Sequence, residues 1–157
     1  PNLIGGNLAR LIEAGECENM IGFAWDVFAV REFIPPHQGS FTAFWGKLPI
    51  RKERRAFIAP GEVHSIIPYW PEETFEYEKD VAWKEMLPAL NQIPESEHDT
   101  LSALSLEVAR EFQGQWSLDW MWSGTEWVAI DMAVAQASWG CPEEWKGPRG
   151  RGRHGQE

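Results

Sequence analysis

Apolar and polar residues recur along this chain with two periods, and the switches between them mark the elements. Near the C-terminus, Gln115-Trp116-Ser117-Leu118-Asp119-Trp120-Met121-Trp122 and Glu126-Trp127-Val128-Ala129-Ile130-Asp131-Met132-Ala133 are mostly apolar runs, each holding one Asp. Ser123-Gly124-Thr125 joins them, so the pair predicts a β-hairpin. With the turn centred on Gly124, Asp119 is expected opposite Ala129, with Asp131 its diagonal neighbour on the same face. Trp116, Trp120 and Trp122 share a parity, hence the other face, and Trp127 shares a parity with Asp131. Upstream, Leu101, Leu104, Val108 and Phe112 repeat at helical spacing and predict a helix from Ser96 to Phe112, with Gly114 past its end.

The remaining pattern is shorter-ranged. Ile50 to Ala59 and Glu62 to Tyr69 flank Pro60-Gly61 and read as a second hairpin. Strand alternation there places Glu53 and Arg55 on one face and Arg54 on the other. Phe23 to Ile34 reads as a buried strand ended by Pro35-Pro36, and His37 to Leu48 as a loop. Pro71 to Glu78 reads as an acidic linker, Lys79 to Gln92 as a helix interrupted near Pro88, and Asn7 to Ala14 as a helix stopped at Gly15. This order predicts an α+β fold, mainly an antiparallel sheet with helices on one face.

Composition narrows the class. With 157 residues and 43% hydrophobic content, the chain suits one domain with a real core. The expected division is a helical lead-in over 1–22, the main domain over 23–142 and a basic Arg/Gly tail over 143–157. The net charge of -10 is concentrated before the tail. An acidic body makes nucleic acid an unexpected partner, and the tail reads as a solubilising terminus. Without an apolar run of membrane-spanning length or a signal-peptide pattern, no membrane association and a cytoplasmic setting are expected. Cys17 and Cys141 form no close-spaced motif, and the four histidines have no ligand spacing, which argues against zinc. The ten tryptophans read chiefly as core packing. The chain opens at Pro1 without an initiator Met, as expected of a processed chain or part of a longer protein.

The candidate chemistry lies in charges that interrupt apolar strands. Two carboxylates on one face, Asp119 and Asp131, repel unless a cation sits between them, and Mg²⁺ prefers oxygen ligands and bound phosphates. Arg55 among acids is suited to clamp phosphate, since guanidinium binds phosphate oxygens bidentately. Arg31 and Glu32 interrupt the predicted strand before Pro35 and need partners there. No Gly-rich phosphate loop is present.

Taken in order, Val30-Arg31-Glu32-Phe33-Ile34, the Glu53-Arg54-Arg55 strand, the helix and the acidic hairpin resemble the ATP-grasp family. The resemblance covers Phe23 to Pro142 and is closest to a phage and bacterial clade named for its arginines and lysine. It implies the C-terminal subdomain of the ATP-grasp fold, in a ligase that forms an amide-type bond through an acyl-phosphate. By that resemblance Arg31, Glu32, Phe33 and Ile34 form the hinge lining the adenine, and Glu53 holds the ribose. Arg55 is the catalytic residue at the phosphates, and Asp119 and Asp131 hold Mg²⁺. The implied partners are ATP, a small carboxylate or amine substrate, and a missing N-terminal half or partner chain.

The family pattern is not fully met. Its second acid is usually Glu followed two residues later by Asn, whereas this chain has Asp131-Met132-Ala133, with Gln136 and Ser138 as nearby polar candidates. The alternative is therefore a non-catalytic nucleotide-binding or Trp-rich protein-interaction module derived from ATP-grasp.

Overall fold

The computed structural model describes residues 33–37, 39–44, 48–78 and 82–146. The predicted helix Asn7–Ala14, the strand from Phe23 as far as Glu32, and the tail beyond Lys146 lie outside the described residues. Phe33 and Ile34, the last two residues of that predicted strand, are in no strand. The architecture below is that of the compact unit beginning at Ile34.

The unit is α+β, with two antiparallel sheets. The smaller pairs β1 (Phe41–Ala43) with β2 (Leu48–Ile50). This corrects the loop expected from His37 to Leu48. Ala43 and Ile50 point inward and are buried with Phe75, Trp83, Leu87 and Leu90. The expected acidic linker likewise contains a short 3₁₀ turn, Glu72–Phe75, which drives Phe75 into this cluster between the rings of Trp83 (5.4 Å) and Phe44 (5.3 Å). Helix α1 (Trp83–Asn91) runs through Pro88 where an interruption was expected. Pro88 removes one backbone donor, but buried Leu87 and Leu90 on either side of it hold the helix against the small sheet.

The larger sheet has the order β4-β3-β5-β6. Strands β3 (Glu53–Ala59) and β4 (Glu62–Pro68) form the expected hairpin. Gly61, at φ +71°, takes the left-handed conformation that its turn requires. Strands β5 (Trp116–Trp122) and β6 (Trp127–Val134) form the second hairpin. Helix α2 (Glu95–Glu111) covers one face of this sheet, packing Leu101 and Ala109 against Ala56, Ile58, Leu118 and Trp120. The helices therefore divide their work: α2 covers the large sheet and α1 the small one. Phe112, expected on the buried stripe, falls just past the helix end, is 42% exposed and lies edge-on to Trp116.

Arg54, turned to the α2 side as alternation predicts, ties these parts together. Its Nε donates to Glu97 Oε1 at 2.7 Å, and its Nη2 donates to the carbonyls of Leu90 (2.9 Å) and Gln92 (3.0 Å) at the end of α1. One fully buried guanidinium thus satisfies carbonyls at a helix terminus that has no following turn to do so. Among the described residues, no helix is long and apolar enough to cross a membrane.

Candidate functional site

The face of the large sheet opposite α2 carries the charges. Strand period puts Glu53, Arg55 and Phe57 of β3 on this side, with Ser117 and Asp119 of β5 opposite them. The Phe57 end is covered by the chain after β6, through Ala135, Cys141 and Trp145. The Glu53–Arg55 end carries the candidate chemistry.

Arg55 and Asp119 are direct cross-strand partners. Arg55 Nε donates to Asp119 Oδ1 and Nη2 to Oδ2, both at 2.8 Å, a bidentate pair in which Asp119 is only 3% exposed. The guanidinium lies over the Tyr69 ring, 4.8 Å from its centroid, and Nη1 donates to the Trp139 carbonyl at 3.2 Å. The charge-assisted bond to Asp119 raises the Arg55 pKa further above its ordinary value. Tyr69 is also pushed up, first by burial and then by the Asp119 carboxylate.

Asp131 lies directly opposite Asp119, a closer placement than the expected diagonal one. The register near the turn pairs Trp122 with Trp127, and Trp120 with Ala129. Continued regularly, it would set Ile130 against Asp119 and turn Asp131 toward α2. A β-bulge between Asp119 and Trp120 absorbs one extra residue of β6 and returns Asp131 to the charged face. The same bulge breaks the parity expected between Trp127 and Asp131: Trp127 packs with the α2 core while Asp131 stands exposed on the other side.

Glu53, 8% exposed, shares this face. Its carboxyl is raised from 4.5 to about 7, mainly by burial, with Arg51 lowering it and the Asp119 charge raising it. Because the folded-state value lies above the unfolded one, the folded state holds the proton more tightly between pH 4.5 and 7. Glu53 thus contributes stability that is present below pH 4.5 and lost as pH rises through about 7. Urea titrations of the wild type and Glu53→Gln across this range should show the variant falling less with pH and standing above the wild type at pH 8. Parallel pH profiles would remove this assignment.

Four of the residues singled out from sequence, Glu53, Arg55, Asp119 and Asp131, thus meet on one face. Arg31 and Glu32 lie outside the described residues, Phe33 is 70% exposed, and Ile34 is half-buried. Gln136 donates to Gln115 Oε1 at 2.8 Å, whereas Ser138 Oγ is 2.6 Å from Ser117 Oγ on the charged face. Sequence reasoning missed Tyr69, because a register shift between Phe57 and Ile58 pairs Arg55 with Ile67, where a regular ladder from the Pro60-Gly61 turn would pair it with Ile66 and send Tyr69 to the other face. It also missed Trp139, which contributes a backbone atom and so has no side-chain signature.

Among the described residues, no group of three or more His, Cys, Asp or Glu is arranged to hold a metal ion. The donor set here is two carboxylates, one of them bound by Arg55, which fits an ion that takes its other ligands from phosphates and water. A separate open cleft of about 480 Å³ is lined by Glu72, Glu73, Glu76, Glu78, Trp83 and Lys84. Four carboxylates there disfavour a phosphate ligand. Comparisons with protein-family models, with curated proteins and with solved structures give no match to this chain.

Proposed function

We propose that this chain is the ATP- and Mg²⁺-binding part of an ATP-grasp ligase, equivalent to the C-terminal subdomain of that fold, joining a carboxylate to an amine through an acyl-phosphate. The observation that carries the reading is the line Arg55–Asp119–Asp131 across three adjacent strands, on the sheet face that α2 leaves uncovered. A guanidinium beside two facing carboxylates is the combination that a phosphate chain with its cation requires. Mg²⁺ bound there supplies neutralisation of the phosphate charge.

In this reading Asp119 and the exposed Asp131 would hold the ion. Asp119 and Trp139 engage three of the five guanidinium N–H groups of Arg55, and a phosphate oxygen would take its place among the remaining ones. Arg55 stabilises the charge that develops on the transferred phosphoryl group. Glu53 accepts from a ribose hydroxyl. The second substrate is a small carboxylate or amine, and an N-terminal half or partner chain completes the cleft.

One observation favours a second reading, nucleotide binding without transfer: both Asp119 oxygens are already committed to Arg55, and Ala133 brings no further ligand. Titrating the full-length protein with MgATP while following Trp fluorescence and phosphate release separates the two. Saturable binding with release supports the ligase. Saturable binding without release supports the second reading, and no response to MgATP sinks both.

A further inference from the structure

We propose that the segment from Ala135 to Trp145 is a strap that positions Arg55, fixing its guanidinium in the site through the Trp139 carbonyl. The proposal rests on the reading of Arg55 as the group that meets phosphate. A long arginine side chain has many rotamers, and one bidentate partner fixes only one edge of it. Here Asp119 takes the Nε/Nη2 edge, Tyr69 takes a ring face and Trp139 takes Nη1. Trp139 is the one of these three that lies outside the large sheet and its β4 extension, so its placement depends on how the strap docks.

The strap is built to dock in one position. Its start is tied by Ala135 N–H donating to the Gln115 carbonyl at 3.0 Å, and by Ser138 Oγ against Ser117 Oγ. Ala135 and Cys141 are buried against Phe57. At its far end Trp145 lies 4.8 Å from the His64 ring and edge-on to Phe57, while His64 Nε2 is 2.5 Å from Glu144 Oε1. Between these anchors sits Gly140, at φ +77°, where a Cβ would come within 2.4 Å of Ile67 Cδ1. The Trp139 carbonyl belongs to the peptide that joins it to Gly140. The conformation and close approach of Gly140 therefore set the direction in which that carbonyl points.

The test reads Arg55 directly, by the solvent exchange of its Nη1–H, the group that donates to Trp139, in ¹⁵N-edited NMR, assigned through Arg55→Lys. Gly140→Val forces a β-branched residue into the left-handed region and against Ile67. Trp145→Ala removes the far anchor and leaves the core under α2 intact. Both variants are expected to speed Nη1–H exchange about tenfold or more, the size of one lost hydrogen bond to a charged group. If Gly140→Val does not fold, Trp145→Ala decides alone. Wild-type exchange in Trp145→Ala overturns the positioning role, because a strap that merely covers the core would leave Arg55 unmoved. The measurement needs no nucleotide, so it fails or succeeds separately from the ATP reading. Faster exchange with unchanged MgATP affinity would keep the strap and remove the phosphate role of Arg55.

Discussion

Glu97→Ala is expected to lower the unfolding free energy by about 3–5 kcal/mol, the range found when one partner of a buried ion pair is removed. Arg54 is fully buried, and Glu97, itself 9% exposed, is its counter-ion. Lys52 also pairs with Glu97. Removing the carboxylate therefore leaves two cations facing each other, one of them without access to water. Burial already depresses the Arg54 pKa, and Glu97 is the main influence opposing that depression. Arg54→Ala should cost a similar amount by another route, since it strips donors from the Glu53, Leu90 and Gln92 carbonyls and leaves Glu97 buried. The paired variant Arg54→Met with Glu97→Leu should cost clearly less than the sum of the single losses, because the only charge left without its partner is that of Lys52, which reaches water. Urea unfolding followed by Trp fluorescence measures all three. A loss below about 1 kcal/mol in Glu97→Ala would place the pair among ordinary surface bridges.

That network shows where sequence reading reaches and where it stops. Alternation alone sent Arg54 to one face and Glu53 and Arg55 to the other, because side-chain period in a strand is a matter of geometry. It could not name Glu97, which is brought to Arg54 by helix packing across 43 residues. The two long hairpins and α2 were legible because Pro60-Gly61, Ser123-Gly124 and the Leu101–Leu104–Val108 spacing are local signals. Strands β1 and β2 have three residues each, too few for a period to register, and pairing plus burial of Ala43 and Ile50 makes them strands. The β6 bulge was also invisible, since an extra residue in a strand changes register without changing composition. The pairing of Asp119 with Asp131 on one face was thus expected in substance but by a different register, and the true one needs the bulge. The site's acids and Arg55 could be found as charges inside apolar strands. The Trp139 carbonyl could not, because every residue carries one.

Asp119→Asn is expected to abolish the Mg²⁺-dependent part of ATP binding, and Arg55→Met to have the opposite effect on the free ion. On the proposed reading Asp119 serves two cations, the Arg55 guanidinium and Mg²⁺. The bidentate pair occupies both of its oxygens, so in the nucleotide-free protein the ion must compete with Arg55. Arg55→Met removes that competitor and leaves Asp119 and Asp131 facing each other across adjacent strands with no cation between them. Mg²⁺ alone should then bind more tightly than to the wild type. ATP should bind roughly ten- to hundredfold more weakly, since a hydrogen bond to a charged group contributes about 1.5–3 kcal/mol. Asp131→Asn should weaken MgATP while leaving the Arg55–Asp119 pair intact. Calorimetric titration of Mg²⁺ alone, ATP alone and MgATP into the three variants gives the full comparison. If Asp119 is only the counter-ion of Arg55, Asp119→Asn will weaken ATP and MgATP by the same factor and Arg55→Met will gain no Mg²⁺ affinity. That result would remove the metal from this site while leaving Arg55 as an anion-binding group on the open face of the sheet.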